Sequence, residues 1–150
     1  YKLSAVEKDG AVEPRIKISE NVTKITNPGF KKVWRLFDRN SGKAIADLIT
    51  LHDEMIDETK PYVLFDPEHT WKRKTVENFV ARPLMQQIFK EGRQVYQPPA
   101  LSQVRKYCKE QVGTLWEEVI RFENPHKYYV DLSEPLYQQK QQLLSQYTPR

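Results

Sequence analysis

The stretch "KKVWRLFDRNSGKAIADLITL", residues 31–51, decides the fold class. Its flanks, 31–38 and 43–51, are rich in β-branched, aromatic and aliphatic side chains, and "RNSG" at 39–42 supplies the polar and glycine residues that reverse a chain. The expectation is a β-hairpin. A second hairpin is expected from "PLMQQIF" (83–89), "KEG" (90–92) and "RQVYQ" (93–97), with Gly92 providing the positive φ of a tight return. Between them, prolines and acids read as loops around one short strand, Tyr62–Phe65. At the other end "YKLSAVE" (1–7) is a β-rich run without methionine or lead-in, and it reads as a cut through something longer.

After "QPPA" (97–100) the apolar period changes. Leu101, Val104, Cys108, Val112, Leu115, Val119 and Phe122 recur at steps of three and four, which predicts a helix of about six turns with one buried apolar face. Pro98 and Pro99 suit its entry, and Pro125 should stop it near Asn124. Ser133 is a good N-cap for a last helix, with Glu134 and Pro135 in the first turn and Leu136, Lys140, Leu143 and Tyr147 on one face. The chain thus reads as an α+β domain: a β-rich body with two hairpins (1–97) followed by two helices (98–150).

Charge is unevenly spread about a formal net of +4. Residues 14–43 hold eight basic and two acidic side chains, whereas 47–68 hold one basic and seven acidic. The basic block can neutralise nucleic acid, phosphates or the acidic block itself, the last by pairing between adjacent strands. Nucleic-acid binding would draw on "WKRKT" (71–75) and on Trp34 and Trp71 as stacking platforms, but the acidic block opposes it and no recognition motif accompanies the charges. No apolar run approaches the roughly 20 residues that span a bilayer, and the single cysteine excludes an internal disulfide, so a cytoplasmic protein without a membrane partner is expected.

Few residues suggest catalysis. Cys108 lies on the stripe expected to be buried; His52, His69 and His126 are scattered; and "LHDE" (51–54) puts its donors on neighbouring positions that point different ways. Asp57 and Glu58 read as solvated loop acids. No glycine-rich loop opens a helix, so neither a Walker motif nor a dinucleotide fingerprint is present. No catalytic residue and no metal site is assigned. What remains is "RIKISENVTKITNPGFKK" (15–32), where Lys17, Lys24, Lys31 and Lys32 surround the turn Asn27-Pro28-Gly29. Lys31 and Lys32 should face opposite sides of a strand, so at most one joins Lys17 and Lys24 around an anion. The other reading is a solvated basic loop.

The run "PRIKISENVTKITNPGFKKVWRLFDRNSGKAIADLITL" (14–51), with "DPEHTWKRKT" (66–75) and "FENPHKYYVDLS" (122–133), closely resembles the C-terminal region of bacterial nicotinate phosphoribosyltransferases, over essentially the whole chain. The resemblance implies a C-terminal fragment of a type II phosphoribosyltransferase, whose parent joins an irregular α/β barrel to an α/β domain and forms a homodimer. Its reaction converts nicotinate and phosphoribosyl pyrophosphate to nicotinate mononucleotide and pyrophosphate in NAD salvage. ATP hydrolysis is coupled through a phosphohistidine, and magnesium assists the pyrophosphate. The family's phosphorylated histidine, nicotinate-binding residues and main phosphate loop would lie upstream, and none of the three histidines here sits in a matching motif.

By similarity with the related nicotinamide enzyme, Lys2 falls where a lysine approaches the phosphate site, across the dimer interface. Lys17, Lys24, Lys31 and Lys32 would line the same region. The expectation for this chain is therefore a structural, phosphate-supporting piece with no cofactor of its own, partnered by the remainder of the enzyme and inactive alone. The alternative is a non-enzymatic protein-docking module.

Overall fold

The computed structural model describes residues 2–147. At its centre the expected hairpin forms: β3 (Lys31–Asp38) runs antiparallel to β4 (Ala44–Leu51). Two strands that the sequence does not announce flank it. One is β7 (Phe79–Pro83), antiparallel to β3, and the other is β10 (Val130–Leu132), parallel to β4. They complete a four-stranded sheet in the order β10-β4-β3-β7. Pro83 sits at the end of an edge strand, where a missing N–H costs no ladder bond.

Alternation along β4 explains the core. Ala44, Ala46, Leu48 and Thr50 are buried while the residues between them are half-buried. Trp34 and Leu36 lie opposite Leu48 and Ala46 on that same face. Against it packs a separate hairpin, β5 (Tyr62–Phe65) with β6 (Arg73–Val76), so that Leu64 and Val76 join Leu36, Ala46, Leu48 and Phe79 in one cluster. The strand expected at 62–65 is present, with a partner that the sequence pattern does not reveal.

Near the start, β1 (Ala5–Lys8) and β2 (Ala11–Pro14) form a further small hairpin. The expected 83–97 hairpin shrinks to β8 (Phe89–Lys90) and β9 (Arg93–Gln94), both exposed, around Glu91 and Gly92 at φ 50° and 75°. Residues 83 and 84 instead belong with β3: Pro83 pairs with Trp34, and the Leu84 amide donates to the Val33 carbonyl at 2.8 Å.

The six-turn helix is corrected most. It divides into α1 (Leu101–Gly113) and the single turn α2 (Glu117–Ile120). Gly113 is a poor helix former, and its carbonyl, with that of Leu115, accepts from the Lys43 ammonium at 3.0 Å, which holds the break against the β3–β4 turn. Nor is the apolar stripe core: Leu101, Val104 and Val112 are exposed, as is Cys108, and Phe122 is fully so. Periodicity reports that one side of a helix is apolar without saying what lies against it.

The last helix, α3 (Glu134–Tyr147), forms as expected with Ser133 capping it. The Ser133 hydroxyl accepts from the Leu136 amide at 3.4 Å and donates to Glu54 Oε1 at 2.6 Å. Leu136 and Leu143 are buried, Lys140 is half-buried, and Tyr147 stays exposed. Tyr137 stands edge-on to Phe65, with ring centroids 5.4 Å apart, tying α3 to β5.

The basic and acidic blocks pair with each other in part. Arg35 grips Asp47 through two bonds of 2.8 and 3.0 Å, and Arg39 meets Glu58 at 3.0 Å. Glu58 is accordingly no solvated loop acid, since its other oxygen accepts the Ala81 amide at 2.7 Å and holds β7.

Two substitutions check which apolar residues carry the fold. Leu48→Ala, in the fully buried cluster, should lower the unfolding free energy by about 2–5 kcal/mol. Val104→Ala, on the exposed stripe of α1, should change it by no more than about 0.5 kcal/mol. Urea titrations of the two variants against the parent chain read both directly.

Candidate functional site

The turn Asn27-Pro28-Gly29 is the most constrained part of the basic stretch. Pro28 and Gly29 are buried, and Gly29 adopts φ +90°, a conformation that side chains with a Cβ rarely take. Its amide donates to the Ser4 carbonyl at 2.6 Å, linking the turn to the segment before β1. A Cβ added there would stand 2.9 Å from Gln139 Nε2 of α3 and 3.2 Å from Leu51 Cδ2 of β4. Immediately beyond, Phe30 stacks on His52 with centroids 4.0 Å apart, beside an open cleft of about 310 Å³ lined also by Val12, Asp53 and Gln139.

Two ammonium groups converge on this turn. Lys31 Nζ donates to the Asn27 and Gly29 carbonyls at 2.9 and 2.6 Å, and Lys140 Nζ, from α3, donates to Asn27 Oδ1 at 2.9 Å. Burial holds both lysines below the ordinary lysine range. The sequence places Lys140 only on a helix face, and nothing local joins it to a residue 113 positions away.

The other candidate lysines are distributed around this centre. Lys32 points to the opposite side of β3, as strand alternation requires, with Nζ 3.4 Å from the Glu54 carbonyl and 5.7 Å from the Trp34 ring centroid. Lys17 is exposed; its backbone is clasped by Thr26, whose hydroxyl accepts the Lys17 amide at 2.9 Å and whose own amide donates to the Lys17 carbonyl. Lys24 is exposed at the end of a 3₁₀ turn, Val22–Lys24, capped by the Asn21 carboxamide. Lys2 lies exposed ahead of β1.

Residues 30–140 match the family model described as "Nicotinate phosphoribosyltransferase C-terminal domain". The chain belongs to this family. Over all 150 residues it is 39% identical to the nicotinate phosphoribosyltransferase of Bacillus subtilis, of which it covers 31%, and over 140 residues it is 36% identical to the Caenorhabditis elegans enzyme, of which it covers 24%. Among solved structures, the crystal structure of human nicotinic acid phosphoribosyltransferase superposes on 91% of the chain with a TM-score of 0.69 and 25% identity, the match spanning 25% of the human chain. The chain thus spans less than a third of the length of these nicotinate phosphoribosyltransferases.

A second charged group, not assembled from the sequence, lies in this C-terminal domain between β5 and β10. Asp66, Glu68 and His69 bring one donor atom each to within 4.8 Å of one another. Asp131 of β10 lines the adjoining clefts with Asp66. Burial, with the nearby charge of Asp66, pushes the Asp131 carboxyl up to about 6. The spacing Asp66-x-Glu68-His69 was the available signal, whereas Asp131 enters only through the β10–β4 pairing.

Gly29→Ala should cost about 1–3 kcal/mol of stability in denaturant titrations. The clash with Gln139 can relax, because its end is flexible, but the positive φ cannot. Adding Gln139→Ala should therefore leave most of the loss in place, and full recovery in the double variant would assign the defect to packing instead.

Proposed function

We propose that this chain is the C-terminal domain of a functioning nicotinate phosphoribosyltransferase, an enzyme that makes nicotinate mononucleotide and pyrophosphate from nicotinate and phosphoribosyl pyrophosphate, with ATP hydrolysis, in cytoplasmic NAD salvage. The observation that carries the proposal is the 39% identity over the full chain to the Bacillus subtilis protein of that name. The domain supports the active-site rim, and its partner is the remainder of the enzyme, assembled as a homodimer.

The reaction develops positive charge on the ribose while a highly anionic leaving group departs, so preorganised cations near the phosphates lower the barrier. Lys2, Lys17, Lys24, Lys31 and Lys32 are the proposed phosphate-facing residues. They divide by their surroundings. Lys17 and Lys24 are exposed ammonium groups on a loop braced by Thr26 and Asn21, and they are free to meet phosphate oxygens. Lys31 has two carbonyl partners and serves chiefly to hold the turn. Among the described residues, the side chains bonded to Asn27 and Gly29 are two ammonium groups and no carboxylate, a set that fits phosphate oxygens and not their magnesium. Magnesium and ATP would be bound by the rest of the enzyme.

The alternative, a non-enzymatic docking module, draws on the exposed apolar stripe of α1. Sedimentation distinguishes the two readings of that stripe: concentration-dependent self-association of the chain favours docking, and monomeric behaviour at high concentration disfavours it.

The test of function is formation of nicotinate mononucleotide from nicotinate, phosphoribosyl pyrophosphate, ATP and magnesium. The 150-residue chain alone should give no product, and turnover by it would overthrow the assignment of chemistry to other parts of the enzyme. In the complete enzyme, Lys17→Ala or Lys24→Ala should raise KM for phosphoribosyl pyrophosphate by about tenfold at nearly constant kcat, the signature of a lost charge contact present throughout the reaction. Unchanged KM in both variants would remove these lysines from the phosphate site.

A further inference from the structure

We infer that Lys140 of α3 is a positioning residue for phosphoribosyl pyrophosphate, acting through Asn27 to hold the loop 15–29 that presents Lys17 and Lys24. The inference rests on the reading of those two exposed lysines as phosphate-facing. Both ends of the loop are tied to one atom. The Ser4 carbonyl accepts the Arg15 amide at 2.8 Å and the Gly29 amide at 2.6 Å, so the chain leaves and returns at a single point, as in an Ω-loop. Within it, Thr26 clasps Lys17, and Asn21 caps the 3₁₀ turn Val22–Lys24. Such a unit keeps its own shape, but two bonds that share an acceptor leave it able to swing about that acceptor.

The check on that motion comes from the far end of the chain. Among the described residues, Lys140 is the only one beyond Lys31 that hydrogen-bonds to the loop, from Nζ to Asn27 Oδ1 at 2.9 Å. Lys31 follows the loop directly, and its bonds to the Asn27 and Gly29 carbonyls shape the turn locally. Lys140 belongs instead to a helix seated elsewhere. Leu136, four residues before it, and Leu143, three after, share its face and are buried. Gln139, its neighbour, lines the same cleft as Gly29, so α3 meets the turn with two consecutive side chains.

The chemistry of the contact favours placement over stability. Lys140 is half-buried and, among the described residues, forms no ion pair. Its ammonium has exchanged part of its hydration for a neutral carboxamide, which costs more than an apolar chain of equal length would in the same place. What the charge supplies is a directed bond to a distant loop. With Lys31 donating to the backbone of the same asparagine, two cations converge on Asn27 and raise the positive potential of the loop.

The test is made in the complete enzyme. Lys140→Met keeps the chain length and removes the donor, whereas Lys140→Arg keeps a donor. The methionine variant should raise KM for phosphoribosyl pyrophosphate by about fivefold with kcat nearly constant, and the arginine variant should restore most of the loss. Its melting temperature should not fall, which separates the effect from unfolding. Asn27→Ala should match Lys140→Met, and the double variant should be no worse than either, because all three lose the same bond. The Thr26 and Gly29 amides should exchange faster in Lys140→Met, which reads the loop without turnover. A raised KM in Lys17→Ala and Lys24→Ala beside an unchanged KM in Lys140→Met overturns this inference and leaves the phosphate reading standing. Unchanged KM in all three removes that reading and the inference with it. Multiplicative losses in the double variant would also overturn it, since the two side chains would then act independently.

Discussion

The register of β3 on β4 is the constraint on which the remaining structure depends. With Arg35 opposite Asp47, Trp34 and Leu36 fall on the core face beside Leu48 and Ala46, and the charged pair falls on the other. Because strand side chains alternate, a slip of one residue would turn the guanidinium toward the core and the leucine away from it. The pair is partly buried and doubly hydrogen-bonded, and the Tyr128 hydroxyl adds a third bond to Asp47 Oδ1 at 3.0 Å. Removing either partner would leave a charge with little solvent, a larger penalty than the net worth of the pair. Asp47 also receives β10 as its neighbour, opposite Val130, so one aspartate fixes both the hairpin and the edge added to it.

That placement carries forward into the candidate site. Leu51, at the end of β4, and Gln139 of α3 close around Gly29, while the Ser133 cap and Glu54 anchor the start of α3. Lys140 can reach Asn27 only because Leu136 and Leu143 seat the helix. The positions of the two ammonium groups at the turn thus follow from apolar packing, while the exposed lysines of the same loop stay unencumbered.

What was legible in the sequence was local. The β3–β4 hairpin, the strand at Tyr62–Phe65, the Ser133 cap and the turn at Asn27–Gly29 each declare themselves within a few residues, because turn chemistry and alternation act at that range. β7 and β10 did not: "FVARP" and "VDL" are short and lack a clear period, and they become strands by pairing with distant partners. Lys140 and Asp131 belong to the same class, since tertiary packing brings them to their neighbours. The long helix expected from residue 101 onward failed differently. Its period was real, but a glycine held by Lys43 ended α1 early, and an apolar face proved not to be a buried one.

The parallel pairing of β10 with β4 has a temporal side. The chain runs through β5 to β9 and two helices before it returns to lie beside Asp47. During synthesis, which proceeds from the N-terminus, β4 therefore emerges with an unpaired edge long before its neighbour exists. An open edge of this kind can recruit strands from other molecules until it is covered. β10 is made only after β5 to β9 and two helices, so the interval between the emergence of β4 and that of β10 is one in which the nascent chain is open to such pairing.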